Sequence, residues 1–451
     1  MKMRRLLLAI CFLCSTGLSA ERPNIILIIS DDQAWSDFGF LGNREVETPV
    51  IDRLASMGLR FDHGYVPSSV CRPSLVTMLT GLYPHQHGIW FNHPPPGFSR
   101  LTKSPEMTKA RYDELRARAA GKIKSLPTLP RELGKLGYRS LQTGKYWEGH
   151  FSNAGFTEGM TLAEPSNAKN GNKTLESGAV VAHGNGDAGL AIGRETMEPI
   201  WKFIDESLGQ EKPFFVWYAP FLPHTPHDSP ERFFDLYRDK PKVKPHEIPY
   251  YAAISQFDET VGQIIDFVED REIERETVFV FVTDNGFRPH PEKPNQYTKH
   301  SKRSPFEEGI RTPILIRWTG QIQPERINRM VSSIDLMPTL LKLAGTPVPD
   351  GLPGLDLLDE IPEGRAVFGE IYPGDATTLD RPEKDLAYRW VVHRNYKLIM
   401  PHGKNPWNGY VDKPVVFDID NDGEDRPFPV DEDTRYLVEK LNAWWNPAVV
   451  R

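Results

Sequence analysis

The chain has 451 residues, a formal net charge of −7 and 40 prolines. So mild a negative charge leaves no electrostatic footprint for nucleic acid, and no later segment is apolar for long enough to be a membrane helix. There is no low-complexity tract and no repeat at solenoid periods, so an ordered protein with many proline-bearing loops is expected.

Residues 1–20 open Met1-Lys2-Met3-Arg4-Arg5, run apolar from Leu6 to Cys14 and end in small residues from Gly17 to Ala20. This is the layout of a secretory signal peptide cleaved near Ala20, with Leu18 an imperfect residue before the cut. The alternative is a lipid anchor at Cys11, for which Leu8-Ala9-Ile10 is a poor context. The expected protein is exported, periplasmic or secreted, with no stable membrane span. The remaining length of about 430 residues suits one large domain and a smaller one.

Asn24-Ile25-Ile26-Leu27-Ile28-Ile29-Ser30 is a nearly unbroken β-branched run, as in a strand buried on both faces of a parallel sheet. It ends in Asp31-Asp32. Phe214 to Tyr218 forms a second such run and is followed by Pro223-His224-Thr225-Pro226-His227. A third, Val278 to Thr283, ends in Asp284-Asn285-Gly286. Helical stretches are expected at Thr48 to Met57, Leu126 to Leu136, Glu195 to Leu208 and Ala252 to Asp270. This alternation predicts an α/β fold with a large, mostly parallel sheet flanked by helices. Ligands in such folds bind beyond the carboxyl ends of strands, where the three polar clusters fall. Taken singly, an Asp pair after a strand is more commonly a turn or a helix cap.

The texture changes from about Gly364. Arg389 to Met400 and Val415 to Asp418 predict antiparallel strands. Asp431 to Trp445 predicts a closing amphipathic helix with Leu437, Leu441 and Trp444 on one stripe. The expected division is a leader over 1–20, a catalytic α/β domain over 21–364 and a smaller C-terminal antiparallel-sheet-plus-helix subdomain over 365–451.

Cys71 is one of three cysteines, and the other two, Cys11 and Cys14, lie in the leader. A lone thiol in an exported chain has no intramolecular disulfide partner. It is either a buried apolar residue or a reactive or modified one. It stands in Cys71-Arg72-Pro73-Ser74, ahead of Leu79-Thr80-Gly81-Leu82-Tyr83-Pro84-His85. Pro73 at a first helical position would put Cys71 at a helix N-terminus, where partial positive charge favours an oxyanion.

With these motifs, and with Glu47-Thr48-Pro49-Val50-Ile51-Asp52-Arg53-Leu54-Ala55 and Ser332-Ser333-Ile334-Asp335-Leu336-Met337-Pro338-Thr339, the mature chain resembles the formylglycine-dependent sulfatases of the alkaline-phosphatase-like superfamily. The resemblance implies that a maturation enzyme oxidises Cys71 to Cα-formylglycine, whose aldehyde hydrates. One of the two geminal hydroxyls attacks sulfur and expels the alcohol, leaving a sulfate hemiester. The other then loses its proton, and the carbon–oxygen double bond re-forms as sulfate leaves. Asp31, Asp32, Asp284 and Asn285 match the family's metal ligands, and modified Cys71 is expected to join them at the metal. That hard-oxygen set suits one Ca²⁺ better than zinc. Lys145, Lys302 and His224 match the sulfate-binding groups. The lysines would neutralise sulfate oxygens, and His224 would bind the bridging oxygen or protonate the leaving alcohol. Asp31 or Asp284 would take the proton of the attacking hydroxyl.

Two positions depart from the family pattern. Leu75 replaces the arginine that closes Cys-x-Pro-Ser-Arg. It shares helical spacing with Met78, Leu79 and Leu82, as a core residue would. Trp147 stands two after Lys145, where the family carries a histidine, and its indole N–H cannot act as a base. His85, His87 or His150 is a candidate replacement, and His85 with His87 also has the form of a two-histidine metal pair.

The resemblance implies a sulfuric-ester hydrolase acting on a sulfated saccharide. The enzymatic rival is a phosphomonoester hydrolase or phosphodiesterase of the same superfamily, which uses Thr or Ser and two zincs. The non-enzymatic rival is a sulfated-glycan binding protein, for which Leu75 and Trp147 speak.

Overall fold

The computed structural model describes residues 22–166, 172–182, 187–293, 295–402 and 411–449. The expected leader lies outside the described residues.

A nine-stranded sheet forms the centre. Its strands are β1 (Asn24–Ser30), β2 (Leu59–Tyr65), β3 (Arg139–Gly144), β4 (Glu158–Gly159), β7 (Phe214–Ala219), β8 (Thr277–Thr283), β9 (Arg311–Trp318), β10 (Glu325–Ile327) and β11 (Val331–Ser332), while β5 (Asn172–Thr174) and β6 (Val180–Ala182) form a separate hairpin. The order is β10-β2-β9-β8-β1-β7-β3-β4, with β11 also on β2. Strands β8, β1, β7 and β3 are four adjacent parallel neighbours, and β9 runs against both of its own.

The burial of β1 explains its unbroken apolar run. Ile25, Leu27 and Ile29 face one core, and Ile26 and Ile28 face the other, across the sheet. Helix α1 (Pro49–Ser56) and the helix Ile248–Glu269 cover the second face. Helix α2 (Cys71–Thr80) lies in the first, and all ten of its residues are buried. It ends at Gly81, whose φ of +66° supplies the left-handed cap.

A second, antiparallel sheet runs β12 (Ala366–Ile371), β13 (Tyr388–His393), β14 (Tyr396–Pro401), β15 (Val415–Asp418) and β16 (Phe428–Pro429) in that order. Its Val367, Trp390, Val392 and Ile399 join the same buried core as Ile25 and Leu27. The closing helix Arg435–Trp444 packs Leu437 and Leu441 on its other face with Val391, Leu398 and Val416.

Several helix boundaries differ from those expected. The stretch from Leu126 shrinks to Leu129–Gly134, with Pro127 outside it and Pro130 in its first turn. The helix expected from Glu195 begins at Glu198, with Pro199 in its first turn. The one expected from Ala252 begins earlier, at Ile248, next to Pro249. Helix α2 starts at Cys71 itself, so Pro73 is its third residue and not its first. A proline fits there because the first four amides of a helix have no partner inside it.

Candidate active site

The carboxyl ends of four parallel strands carry the site. Asp31 and Asp32 follow β1, Lys145 follows β3, His224 lies beyond β7, and Asp284 and Asn285 follow β8. Backbone bonds lace these ends together: Asp31 N–H to Leu222 O, Asp284 N–H to Ser30 O and Gln33 N–H to Asn285 O. Asp32 holds a left-handed φ of +66°, an uncommon conformation for a side-chain-bearing residue that clusters at functional sites. Gly144 has φ +68°, and a Cβ on it would come within 1.9 Å of Ala219 O. Only glycine lets β3 turn here and deliver Lys145.

Cys71 comes to the site from the start of α2. Its Sγ lies 3.8 Å from an oxygen of Asp31 and of Asp32, and 3.1 Å from Lys145 Nζ. Lys145 Nζ also donates to Asp31 Oδ1 at 2.6 Å, and Lys302 Nζ to Asp32 Oδ2 at 2.6 Å. His224 Nε2 is 3.4 Å from Asp32 Oδ2. The structure therefore gathers Asp31, Asp32, Cys71, Lys145, Lys302 and His224. Asp284 and Asn285 are tied in through Asp32 N–H to Asp284 Oδ1 at 2.9 Å and Asn285 Nδ2 to Asp32 Oδ1 at 2.7 Å.

Three acceptor oxygens in this nest, Asp31 Oδ2, Asp284 Oδ2 and Asn285 Oδ1, are buried with no hydrogen-bond partner. Buried acceptors left without donors are costly, and a bound cation would satisfy them. The ligating atoms of Asp31, Asp32, Cys71 and His224 all lie within 4.8 Å of one another. Carboxylate and amide oxygens are the donors of hard cations such as Ca²⁺.

The charges reflect the crowding. Burial pushes the Asp31 carboxyl well up, against the pull of Lys145, and Asp284 and Asp32 add to the rise. Burial acts the same way on Asp32, but Lys302, His224 and Lys145 outweigh it and hold Asp32 below the usual carboxylate range. Burial raises the Cys71 thiol well above its ordinary value despite Lys145 and Lys302, so an unmodified Cys71 is not primed as a thiolate nucleophile. Burial first and then Lys145 push His224 well down, while Asp32 pulls it back up. Its Nδ1 faces Thr225 O at 2.6 Å and donates there, which turns Nε2 toward Asp32 Oδ2.

The two departures have different surroundings. Leu75 is 4 % exposed, in one core with Val76, Met78 and Leu79. Trp147 is also buried, its ring 5.3 Å from that of His93. The three candidate replacement histidines are bonded elsewhere. His85 Nδ1 pairs with Glu370 at 2.8 Å and its ring stacks on Trp445 at 4.4 Å. His87 Nε2 meets Thr77 Oγ1 at 3.2 Å, and His150 Nδ1 meets Ser152 Oγ at 2.9 Å. His85 and His87 thus serve separate partners and do not form a metal pair.

Other residues support the site without a motif to announce them. Arg194 donates to the carbonyls of Phe221, His224 and Pro226 and so braces the His224 loop. Ser74 Oγ donates to Asp284 O at 2.5 Å. Arg303 N–H donates to Ser69 O, which ties the Lys302 loop to the chain before Cys71. Arg72 forms a buried pair with Glu148. None carries a local signal, because each acts on backbone or on a partner distant in sequence.

Fold and site together are those of an α/β hydrolase of anionic esters. A family model described as Sulfatase matches residues 23–346. Arylsulfatase A of Homo sapiens is 30 % identical over 388 residues, covering 78 % of this chain and 70 % of the relative. N-acetylgalactosamine-6-sulfatase of Homo sapiens is 27 % identical over 399 residues, covering 82 % and 72 %. The crystal structure of the PsFucS1 sulfatase from Pseudoalteromonas sp. superposes with a TM-score of 0.68 at 18 % identity, covering 94 % of this chain and 90 % of that one. The chain belongs to the sulfatase family and is a sulfuric-ester hydrolase. Its Cys-x-Pro-Ser-Leu signature is atypical of that family. Among the described residues, no helix is long and apolar enough to cross a membrane.

Proposed function

We propose that this enzyme is exported and removes sulfate from a sulfated saccharide, with formylglycine made from Cys71 as its nucleophile. The observation that supports this most is the meeting of Cys71 Sγ with Lys145 Nζ at 3.1 Å and with Asp31 and Asp32 at 3.8 Å, in one buried site at a helix N-terminus. The saccharide is supported by relatives such as N-acetylgalactosamine-6-sulfatase, and export by the pattern of residues 1–20.

The hydrate of formylglycine carries two hydroxyls on one carbon: the first attacks sulfur as the alcohol leaves, and the second loses its proton as the carbon–oxygen double bond re-forms and sulfate departs. Lys145 and Lys302 hold and neutralise sulfate oxygens, and the start of α2 adds partial positive charge. His224 donates its Nδ1 proton to Thr225, so its Nε2 can give a proton to the leaving alcohol only when the ring is an imidazolium. Asp31 or Asp284 accepts the proton of the attacking hydroxyl. Asp31, Asp32, Asp284 and Asn285 would hold Ca²⁺, which would supply Lewis-acid stabilisation of negative charge at the reacting sulfate.

The test is hydrolysis of 4-nitrophenyl sulfate beside 4-nitrophenyl phosphate by protein matured in its own host. Sulfate release should exceed phosphate release and vanish in Cys71→Ala. Chelation should abolish it, with recovery on Ca²⁺ and not on Zn²⁺. A Cys71→Ala protein that still cleaves the sulfate, or recovery on zinc alone, would contradict the reading.

A further inference from the structure

The geometry points to the Arg72–Glu148 ion pair as the device that sets the distance between the nucleophile and its lysine clamp. It is a positioning pair for sulfate transfer and not a stability element. The inference rests on the reading of Cys71 as nucleophile precursor and of Lys145 as clamp.

Arg72 directly follows Cys71 in α2, and Glu148 is the third residue after Lys145. The guanidinium Nε and Nη2 donate to the two oxygens of Glu148 at 2.6 and 2.7 Å. The side chains are 0 % and 1 % exposed, so water cannot take over either end. Both segments are held in turn. Arg72 N–H donates to Asn92 Oδ1 at 3.1 Å, and Nη2 also reaches Ala119 O at 3.3 Å. Asn153 Nδ2 donates to Glu148 O at 2.7 Å. Two parallel N–H···O bonds fix an angle as well as a separation. They act one residue from Cys71 and three from Lys145, the pair of groups that stand 3.1 Å apart.

Stability alone does not account for the arrangement. A buried ion pair generally contributes no more than two well-packed apolar side chains would, because desolvation offsets the attraction. This pair carries a further cost: Arg72 Nη1 is buried without a partner. A directional fork supplies what apolar packing lacks, a single register between α2 and the Lys145 loop. Leu75 lies three residues after Arg72, and Trp147 one before Glu148. The pair therefore joins the same two segments in which the chain departs from the family pattern.

The test compares the apolar double variant R72M/E148L with E148Q and E148D. Three quantities are measured on each: thermal unfolding, the fraction of chains carrying formylglycine at position 71 by peptide mass spectrometry, and kcat and KM on 4-nitrophenyl sulfate. The double variant should unfold close to the parent. Its kcat per converted chain should fall at least about tenfold, the scale expected when reacting groups are misplaced by a fraction of an ångström to an ångström, while KM changes by less than about twofold. E148D, which keeps the charge, should retain more of kcat than E148Q. A double variant with parental unfolding and parental kcat overturns the proposal. If the Arg72 change blocks conversion, E148Q decides, because it lies outside the Cys71 motif, and an unchanged kcat there overturns the proposal equally. An active parent with an unmodified Cys71 overturns the formylglycine reading and the pair's role with it, and is told apart by the spectrum of the parent alone.

Discussion

At position 75 the side chain is packed among Val76, Met78 and Leu79 in the main core. Restoring the family's arginine there would drive a charge into hydrocarbon with no partner within that cluster. Leu75→Arg is expected to lower stability by roughly 2–4 kcal/mol, read as the shift of a urea or thermal transition. Unchanged stability would mean that position 75 has a polar outlet. His224 makes a sharper functional prediction. If it protonates the leaving oxygen, His224→Ala should reduce kcat on a sugar sulfate by about 10²–10³, the scale of general acid catalysis. It should spare 4-nitrophenyl sulfate, whose leaving oxygen is too weakly basic to need the proton. Equal losses on both substrates would assign His224 to binding instead. Asp31 and Asp32 after β1, His224 beyond β7, and Asp284 and Asn285 after β8 stand out in the chain because they follow buried strands, whereas Lys145, Lys302 and the role of Cys71 stand out only through the family motifs. Arg194 could not be read, because its three acceptors are main-chain carbonyls that any sequence would supply.

At the level of the elements, the parallel strands β1, β7 and β8 were legible because burial on both faces removes polar alternation, and Ile25 to Ile29 divide between two cores, whereas β3, with Arg139, Ser140, Gln142 and Thr143, carries no such apolar run. Helix starts were less so. Proline marks a first turn without saying which residue of that turn it occupies, and so α2 begins two residues before Pro73. Helix α1 shows why local signals fall short: its opening amides are capped from another helix. Asp258, in Ile248–Glu269, accepts N–H bonds from Val50 at 3.0 Å and Ile51 at 2.8 Å. Asp258→Ala leaves those donors buried and unpaired. It should cost about 1–2 kcal/mol, the usual loss for a removed cap, and amide hydrogen exchange should rise first in the opening turn of α1. Loss of protection spread evenly over the molecule would argue against a local cap.

Across the whole molecule, the second sheet was legible as a change of texture near Gly364, but its attachment was not. It shares the main core through Val367, Trp390 and Ile399. It is also pinned by Lys397 of β14, whose Nζ donates to Glu307 at 2.9 Å and Glu424 at 2.7 Å. Two carboxylates share one buried ammonium, so one of them holds its proton more tightly. Burial raises Glu424 from its ordinary 4.5 to about 7, partly offset by Lys397, while Lys397 and Arg311 hold Glu307 down. Between those two values the folded chain carries a proton at Glu424 that the unfolded chain has lost, so stability falls as pH rises through this window. Glu424→Gln keeps the shape without the proton. Its thermal midpoint should be less dependent on pH between about 4.5 and 7 than the parent's, and parallel profiles would contradict the account.

All of this chemistry converges on what Cys71 becomes. The most direct measurement is peptide mass spectrometry across residue 71 on active protein purified from its own host. The spectrum should show the thiol replaced by an aldehyde that a carbonyl-specific reagent captures. An intact cysteine throughout a preparation that hydrolyses sulfate esters would contradict the account.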